Sequence, residues 1–407
     1  MNKENLKLLF SMPVIVAALG YFVDLYDLII FGIVRTQSLT ELGLDTQGVA
    51  EVGKEILNIQ MIGMLLGGIL WGVLGDKIGR MKTLFATIIL YSTATFATGF
   101  VNSITAYEVL RFIAGVGLAG ELGVGITLIS EILPKHLRGM GAAITLSIGV
   151  LGAVAANLIG HFFDWRVAYI VGGILGFLLL FLRIRVHESE IFNKQDESVI
   201  KGSFLALFAN RKIFFRYFGA ICLGIPLWTT IGLLIFFSPE MAKWLHIQGN
   251  INAGNAVMIS YIALSIGGIA IGALSQYYKS RKRAVWIFLA LLIFGYALYF
   301  NADGASAVYF YSVIALLGFT AGYSAAFTQM AAEQFGSNLR ATVATTALNF
   351  IRGYIVIATL MVDFLKPSLG VLSAVAVVTF GSWFIAAYSL WKMKETFSDD
   401  LDFVEPI

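Results

Sequence analysis

GVLGDKIGRMKT, residues 72–83, returns two hundred residues later as GALSQYYKSRKR, residues 272–283. A second echo keeps nearly the same offset. EILPKHLRG opens at Glu131 and EQFGSNLRA at Glu333, each with an arginine seven residues on, Arg138 and Arg340. Matched positions at one offset mark an internal repeat, so the chain is read as two copies of one unit. What surrounds these short basic loops decides what that unit is.

Long apolar runs surround them. Of 407 residues 58% are apolar and 13% charged, with a mean hydropathy of +0.83. An average soluble domain carries roughly 25% charged residues, so a water-facing surface cannot be covered and a soluble enzyme is excluded. Six prolines and 14% aromatics exclude collagen-like and disordered chains. The single cysteine, Cys222, cannot form an intrachain disulfide and sits in an apolar stretch, where it packs. The class that remains is a polytopic membrane protein.

A hydrocarbon core of about 30 Å needs roughly 20 apolar residues of helix, whereas a barrel would show short alternating segments. The runs here are continuous. They predict twelve spans near 10–35, 54–74, 83–101, 107–131, 139–161, 167–183, 215–238, 254–275, 284–300, 306–331, 341–363 and 369–391. The first run contains Asp24 and Asp27 and lacks a small-residue cleavage pattern, so it is expected to be a retained helix and not a signal peptide. Loops on the side of the termini hold 21 Lys and Arg, against five on the other side: Arg35, Lys54, Arg166, Lys243 and Lys366. Both termini are therefore expected to be cytoplasmic. The longest polar stretch, about Arg183 to Arg216, reads as a cytoplasmic linker (184–215) between six-helix halves 1–183 and 216–407. Such halves place a substrate site between them near the midplane.

The loops then point to a family. GDKIGRMK after span 2, RFIAGVGLAGE opening span 4, SEILPKHLRG after it, DWR before span 6 and HESEIF after it resemble the signature loops of the major facilitator superfamily, in matching order over the whole chain. Within it, the Asp-Leu-Tyr-Asp of span 1 and the Arg…Gly-Glu of span 4 are most similar to metabolite:proton symporters and the related aromatic-acid and sugar porter branches. The resemblance implies an all-α fold of two pseudo-symmetric halves and transport by alternating access. It also implies that an acid of span 1 and an arginine of span 4 sit together, with the acid accepting a transported proton. Gln276 stands where the first loop has Asp76, and span 7 reads Leu227-Trp228-Thr229-Thr230 where sugar porters carry paired glutamines, which disfavours a sugar. Span 5 lacks the Gly-Pro motif of antiporters, which favours uptake.

An ionisable group at mid-span costs about 2.5–3.5 kcal/mol and is a functional hypothesis by default. Asp24, Asp27, Arg111, Glu121 and Arg352 qualify. At about 1.5 Å rise per residue, Asp24, Glu121 and Arg352 fall near the midplane, Asp27 and Arg111 further out. Asp24 and Asp27 are three apart and share a helix face. With Glu121 they form an expected proton-coupling set, titrating in coupled steps and facing one watery chamber. Arg111 would pair with Asp27 and, drawn to substrate, is expected with Arg352 to be substrate-binding. Arg352 suits bidentate capture of a carboxylate or phosphate; the alternative is a partner acid from the other half, Asp24 or Glu121, making it a gate. Three acids against two arginines leave a charge of −1, so an anion would need a second proton while a zwitterion would not.

Tyr26, Asn157, Trp228, Tyr323 and Gln329 are further candidates to line a substrate cavity. His161 is expected at the interface. Gly63, Gly67, Gly68 and Gly72 in span 2, with Gly268 and Gly272 in span 8, read as small-residue helix contacts. At the cytoplasmic ends Gly75, Asp76, Gly79, Arg80, Glu131 and Arg138, repeated as Glu333 and Arg340, are expected to form a charge latch that gates the transporter. No phosphate loop, metal-spaced His/Cys set or nucleophile triad is present, so no enzyme, cofactor or metal is expected and energy comes from a gradient. The expectation is a monomeric carrier in a bacterial-type cytoplasmic (inner) membrane, whose partners are a small substrate, a proton and the lipid bilayer, with no nucleic acid. It takes up a small carboxylate-bearing metabolite, an organic acid or amino acid, by proton symport. A sugar uniporter or symporter and a non-transporting nutrient sensor are the alternatives.

Overall fold

The computed structural model describes residues 3–184, 186, 188–193, 201–397 and 403–406. Twelve long helices dominate them: α1 Met12–Glu41, α2 Thr46–Lys77, α3 Arg80–Thr98, α4 Ile104–Ile132, α5 Arg138–Phe162, α6 Trp165–Arg183, α7 Arg211–Ile235, α8 Ala253–Tyr278, α9 Arg281–Phe300, α10 Ala307–Glu333, α11 Arg340–Leu369 and α12 Val371–Lys392. Their starts obey local chemistry. Asp45, Ser103, Asp164, Asn252, Ser280 and Ser306 each accept from a backbone N–H two or three residues on, satisfying a donor that the helix leaves orphaned.

Among the described residues eleven helices are long and apolar enough to cross a membrane, and α3 is not one of them. Its 19 residues begin at Arg80 and carry five threonines. It nevertheless runs from the basic end of the molecule to the opposite one, where Arg166 donates to the carbonyls of Gly99 and Val101 just past its last turn. Packing against α4 and α6 buries the hydroxyls of Thr83, Thr87, Thr95 and Thr98, while Thr93 is exposed. Several helices overrun their expected ends: α1 continues to Glu41, α2 starts at Thr46 and α7 starts at Arg211, inside the stretch expected to be linker. A helix does not stop at the edge of the hydrocarbon when no breaker stops it. Residues 185, 187 and 194–200 of that linker, His187 of the HESEIF motif included, lie outside the described residues.

Helices α1–α6 pack mainly on one another, as do α7–α12, and the two groups meet along two seams, α2 against α11 and α5 against α8. Glycines set the closeness of both. A Cβ on Gly68 would lie 2.8 Å from Asn349 Nδ2 and one on Gly72 2.9 Å from the Thr342 Cα; in the other seam, one on Gly268 would lie 2.5 Å from Ser147 Oγ and one on Gly272 2.5 Å from the Ala143 Cβ. Close backbone approach of this kind is how helices associate where lipid is as apolar as leucine. Ser265 Oγ donates across the second seam to the Ser147 carbonyl at 2.6 Å.

At the basic end the seams close on buried charge. Arg80 donates to Glu131 at 2.8 Å, to the Gly75 carbonyl and to the Ser337 carbonyl of the other half, and lies 3.4 Å from Asp76. Arg340 reaches back across the seam to the same Glu131 oxygen at 2.8 Å. Asp76 accepts from the N–H groups of Ala341 and Thr342 and from the Thr342 hydroxyl, capping α11 from the other half. The second copy has Arg281 on Glu333 at 3.0 Å. Arg138 donates to the Leu133 carbonyl at 3.1 Å. Gln276, the counterpart of Asp76, has an Oε1 that accepts no hydrogen bond from the described residues, so among them the capping contact is made on one seam. Gly79 sits at φ 106°, where the Glu188 carboxylate occupies the place a side chain would need while it accepts from the Met81 N–H. Glu395 does the same at the start of α9, accepting from Arg281 and Lys282 N–H groups. Burial pushes its pKa up, but the Ser280 hydroxyl and these N–H groups outweigh it and hold the carboxyl below its usual range.

Removing one partner of a buried pair strands the other at about 3–5 kcal/mol. Asp76→Ala is therefore expected to loosen this end of the α2–α11 seam. In a Cys222→Ser background, Thr345→Cys, buried against Gly123, should resist a membrane-impermeant thiol reagent applied to inside-out vesicles and become reactive when Asp76→Ala is added. Equal labelling in both would show that Asp76 does not hold the seam.

Candidate functional site

Deeper along the helices three further ion pairs lie buried, and each joins different elements. The first links α1 to α4. Arg111 donates from Nη1 to Asp27 Oδ1 at 2.9 Å and from Nη2 to the Asp27 carbonyl at 2.9 Å, with exposures of 0% and 1%. Its guanidinium carbon lies 5.5 Å from the Tyr169 ring, and Tyr169, Tyr107 and Ser38 continue outward as a string of hydroxyls at 2.8 and 3.3 Å. The pair expected from the resemblance is thus formed. Asp27 Oδ2 accepts no hydrogen bond from the described residues.

The second pair bridges the two halves. Arg352 on α11 approaches Asp24 on α1 at 3.7 Å, and its guanidinium carbon lies 5.8 Å from the Trp228 ring of α7. Neither Asp24 oxygen accepts a hydrogen bond from the described residues, although the carboxylate is wholly buried. Charge attraction without hydrogen bonds is the loosest of the three contacts. Of the two readings of Arg352, the structure displays the partner acid, and Trp228 is the one soft candidate that it places beside an arginine.

The third pair gives Glu121 a partner that the sequence did not point to. Glu121 lies within electrostatic reach of Asp24 and its carboxylate sits beside Gly20, four residues before that acid. The α4 helix breaks at Ala119–Gly120, which makes Glu121 the first residue of the inner segment, and there it meets Arg183 at 2.5 Å and the Thr87 hydroxyl at 2.7 Å. Arg183 also donates to the Leu84 carbonyl at 2.6 Å. Read from sequence, Arg183 counts among the loop charges on the side of the termini because it is the last residue of its span; its long stem lets the charge turn back inward. The signal that could have found it is Glu121 itself, since a mid-span carboxylate requires a cation. Three acids are therefore balanced by three arginines, and the expected charge of −1 becomes zero.

The remaining candidates fall elsewhere. Tyr26 donates to the Ala168 carbonyl at 2.8 Å inside the first half, and Tyr323 to the Leu223 carbonyl at 2.9 Å inside the second, so both tie helices together. Buried phenols in apolar surroundings settle on the nearest free carbonyl. Gln329 accepts from Ser130 of the other half and donates to Glu333, which assigns it to the basic-end latch and not to a cavity. Asn157 lies toward the opposite end of the second seam, 3.8 Å from the Met258 sulfur. Missed by the sequence reading are Tyr21 and Tyr261, both buried and within electrostatic reach of Arg352, and Ser337 and Thr342 in the latch.

A family model described as Major Facilitator Superfamily matches residues 15–360. The chain is 37% identical over 179 residues to the niacin transporter NiaP of Acinetobacter baylyi, which covers 43% of this chain and 40% of the relative. The chain spans less than half the length of the first curated relatives that it matches. It is 25% identical to the benzoate transport protein of the same organism over 81% of this chain and 78% of that one. The fold matches the solved proton:xylose symporter XylE with a TM-score of 0.77 at 16% identity, covering 98% of each chain. With twelve helices in two seamed groups, a charge latch at the basic end and buried ion pairs at mid-depth, the chain is an integral membrane transporter and not an enzyme, and it belongs to the Major Facilitator Superfamily.

Proposed function

We propose that this transporter takes up a small monocarboxylate together with one proton by alternating access, from outside a bacterial-type cytoplasmic membrane with both termini inside. The observation that carries the reading is the Asp24–Arg352 contact between the halves: a cation and an anion held at 3.7 Å with no hydrogen bond. A substrate carboxylate offers Arg352 two oxygens in bidentate geometry, which the loose Asp24 contact does not. Substrate can therefore draw Arg352 away, and the halves lose one of their links. Trp228 beside the guanidinium supplies an apolar wall for a ring or chain.

The charge balance fixes the stoichiometry within this reading. The three pairs are neutral when empty, and a monoanion alone would leave −1 in a medium that penalises charge heavily. One proton restores neutrality. Asp27 is the acceptor: its second oxygen is free of hydrogen bonds, and Arg111 retains the Asp27 carbonyl if the carboxylate is protonated. The names of the niacin and benzoate relatives, both acids, support the substrate class over a sugar.

Proteoliposomes test it, with protein-free liposomes setting the passive baseline for benzoate and nicotinate. An inward proton gradient should drive accumulation of one of them, and a potassium diffusion potential of either sign should leave the rate within about twofold. Dependence on the potential would reject the one-to-one balance, and no gradient-driven uptake of either acid would reject the function. Asp27→Asn is expected to abolish accumulation while preserving counterflow. Arg352→Lys, which keeps charge and loses the planar fork, is expected to raise the KM for the acid at least tenfold with accumulation at saturation retained; an unchanged KM would remove Arg352 from the substrate site.

A further inference from the structure

The loop between α10 and α11, residues 336–338, receives the latch from the first half, and a distant stretch of chain holds it from behind. Residues 403–406 lie along it as a short strap. The Phe403 carbonyl accepts from the Ser337 N–H at 2.9 Å and from the Ser337 hydroxyl at 3.3 Å. Asn338 and Glu405 bond each other twice: Asn338 Nδ2 donates to the Glu405 carbonyl at 3.1 Å, and the Glu405 N–H donates to Asn338 Oδ1 at 2.8 Å. The Glu405 side chain is buried and accepts from the Gly336 N–H at 3.3 Å and from Arg216, near the start of α7. A Cβ on Gly336 would collide with the Glu405 backbone nitrogen, so glycine is what lets the strap come this close. Arg216 is itself placed by an aromatic face, its guanidinium carbon 4.5 Å from the Phe335 ring.

All of these contacts lie within the second half, and what the loop has left it offers to the first. Arg80 donates to the Ser337 carbonyl at 2.9 Å, and Asp76 caps the Ala341 and Thr342 N–H groups just beyond. Gly202 of the linker donates its N–H to the Asn338 carbonyl at 2.8 Å while standing against the Val73 carbonyl of α2. A loop has no ladder of its own to satisfy its N–H groups. The strap supplies acceptors for those of Gly336 and Ser337 and so fixes the direction of the Ser337 carbonyl. We propose that residues 403–406 are a built-in regulator of the transport cycle. Docked, they present the Ser337 carbonyl and the start of α11 to Arg80 and Asp76, and favour the state closed at the basic end; undocked, they let that end open. Glu405 is the positioning residue, because it joins the strap, the loop and Arg216. The inference stands on the latch and needs no assumption about substrate or coupling ion.

The test uses the full chain in membrane vesicles, in the Cys222→Ser background, and reads the rate of labelling by a membrane-impermeant thiol reagent. Thr345→Cys reports the basic end in inside-out vesicles. Asn157→Cys, toward the opposite end of the second seam, reports the far end in right-side-out vesicles. Glu405→Ala removes the side chain, and Glu405→Lys sets like charge against Arg216. Each is expected to raise the rate at position 345 about threefold or more and to lower the rate at position 157, because population that leaves one state enters the other. Asp76→Ala gives the rate of an unlatched seam for comparison. Unchanged rates at position 345 for both Glu405 variants, beside a raised rate for Asp76→Ala, would overturn the proposal. So would a rise at both positions, which is the signature of a fold loosened as a whole.

Discussion

Charge buried at membrane depth must be neutralised by opposite charge within reach of a side chain, and most of this molecule's arrangement follows from that requirement. Asp27, Glu121 and Asp24 each find an arginine, and the three pairs differ in how firmly they hold. Two are closed by short hydrogen bonds within the first half. The third spans both halves and has none. A static scaffold would gain little from any of them, because desolvation offsets the attraction. A carrier gains a weak link between its moving parts and a cation that a ligand can claim.

The basic end follows the same physics with a different outcome. There Glu131 accepts from an arginine of each half and Asp76 caps a helix of the other half, so a few side chains hold the seam against thermal motion. Bistable contacts of this kind suit rigid-body rocking. The internal repeat supplies the chemistry twice, yet the structure does not use it twice in the same way. Asp76 and Gln276 are equivalent in sequence position, and only the acid makes the cap. One seam is thus tied by charge while the other, at its glycines and Ser265, is tied by fit.

The first half holds three buried carboxylates at mid-depth, Asp24, Asp27 and Glu121, while the arginine suited to substrate comes from the second half. Helix α3, with Lys82 and five threonines, is less apolar than its neighbours. Packing against α4 and α6 covers the face that carries Thr83, Thr87, Thr95 and Thr98.

Twelve passages, the two-half plan and the identities of the buried acids were legible from residue order alone, because hydrophobic run length, loop charge and repeat spacing are local quantities. So was the Asp27–Arg111 pair, through family likeness. Pairing across the chain was not. That Arg183 turns inward to Glu121, that Arg352 settles on Asp24, and that Tyr26 and Tyr323 spend their hydroxyls on nearby carbonyls depend on which helix faces are brought together and on how far long side chains reach. A one-dimensional pattern reports which groups must be satisfied; the packing of helices decides by whom.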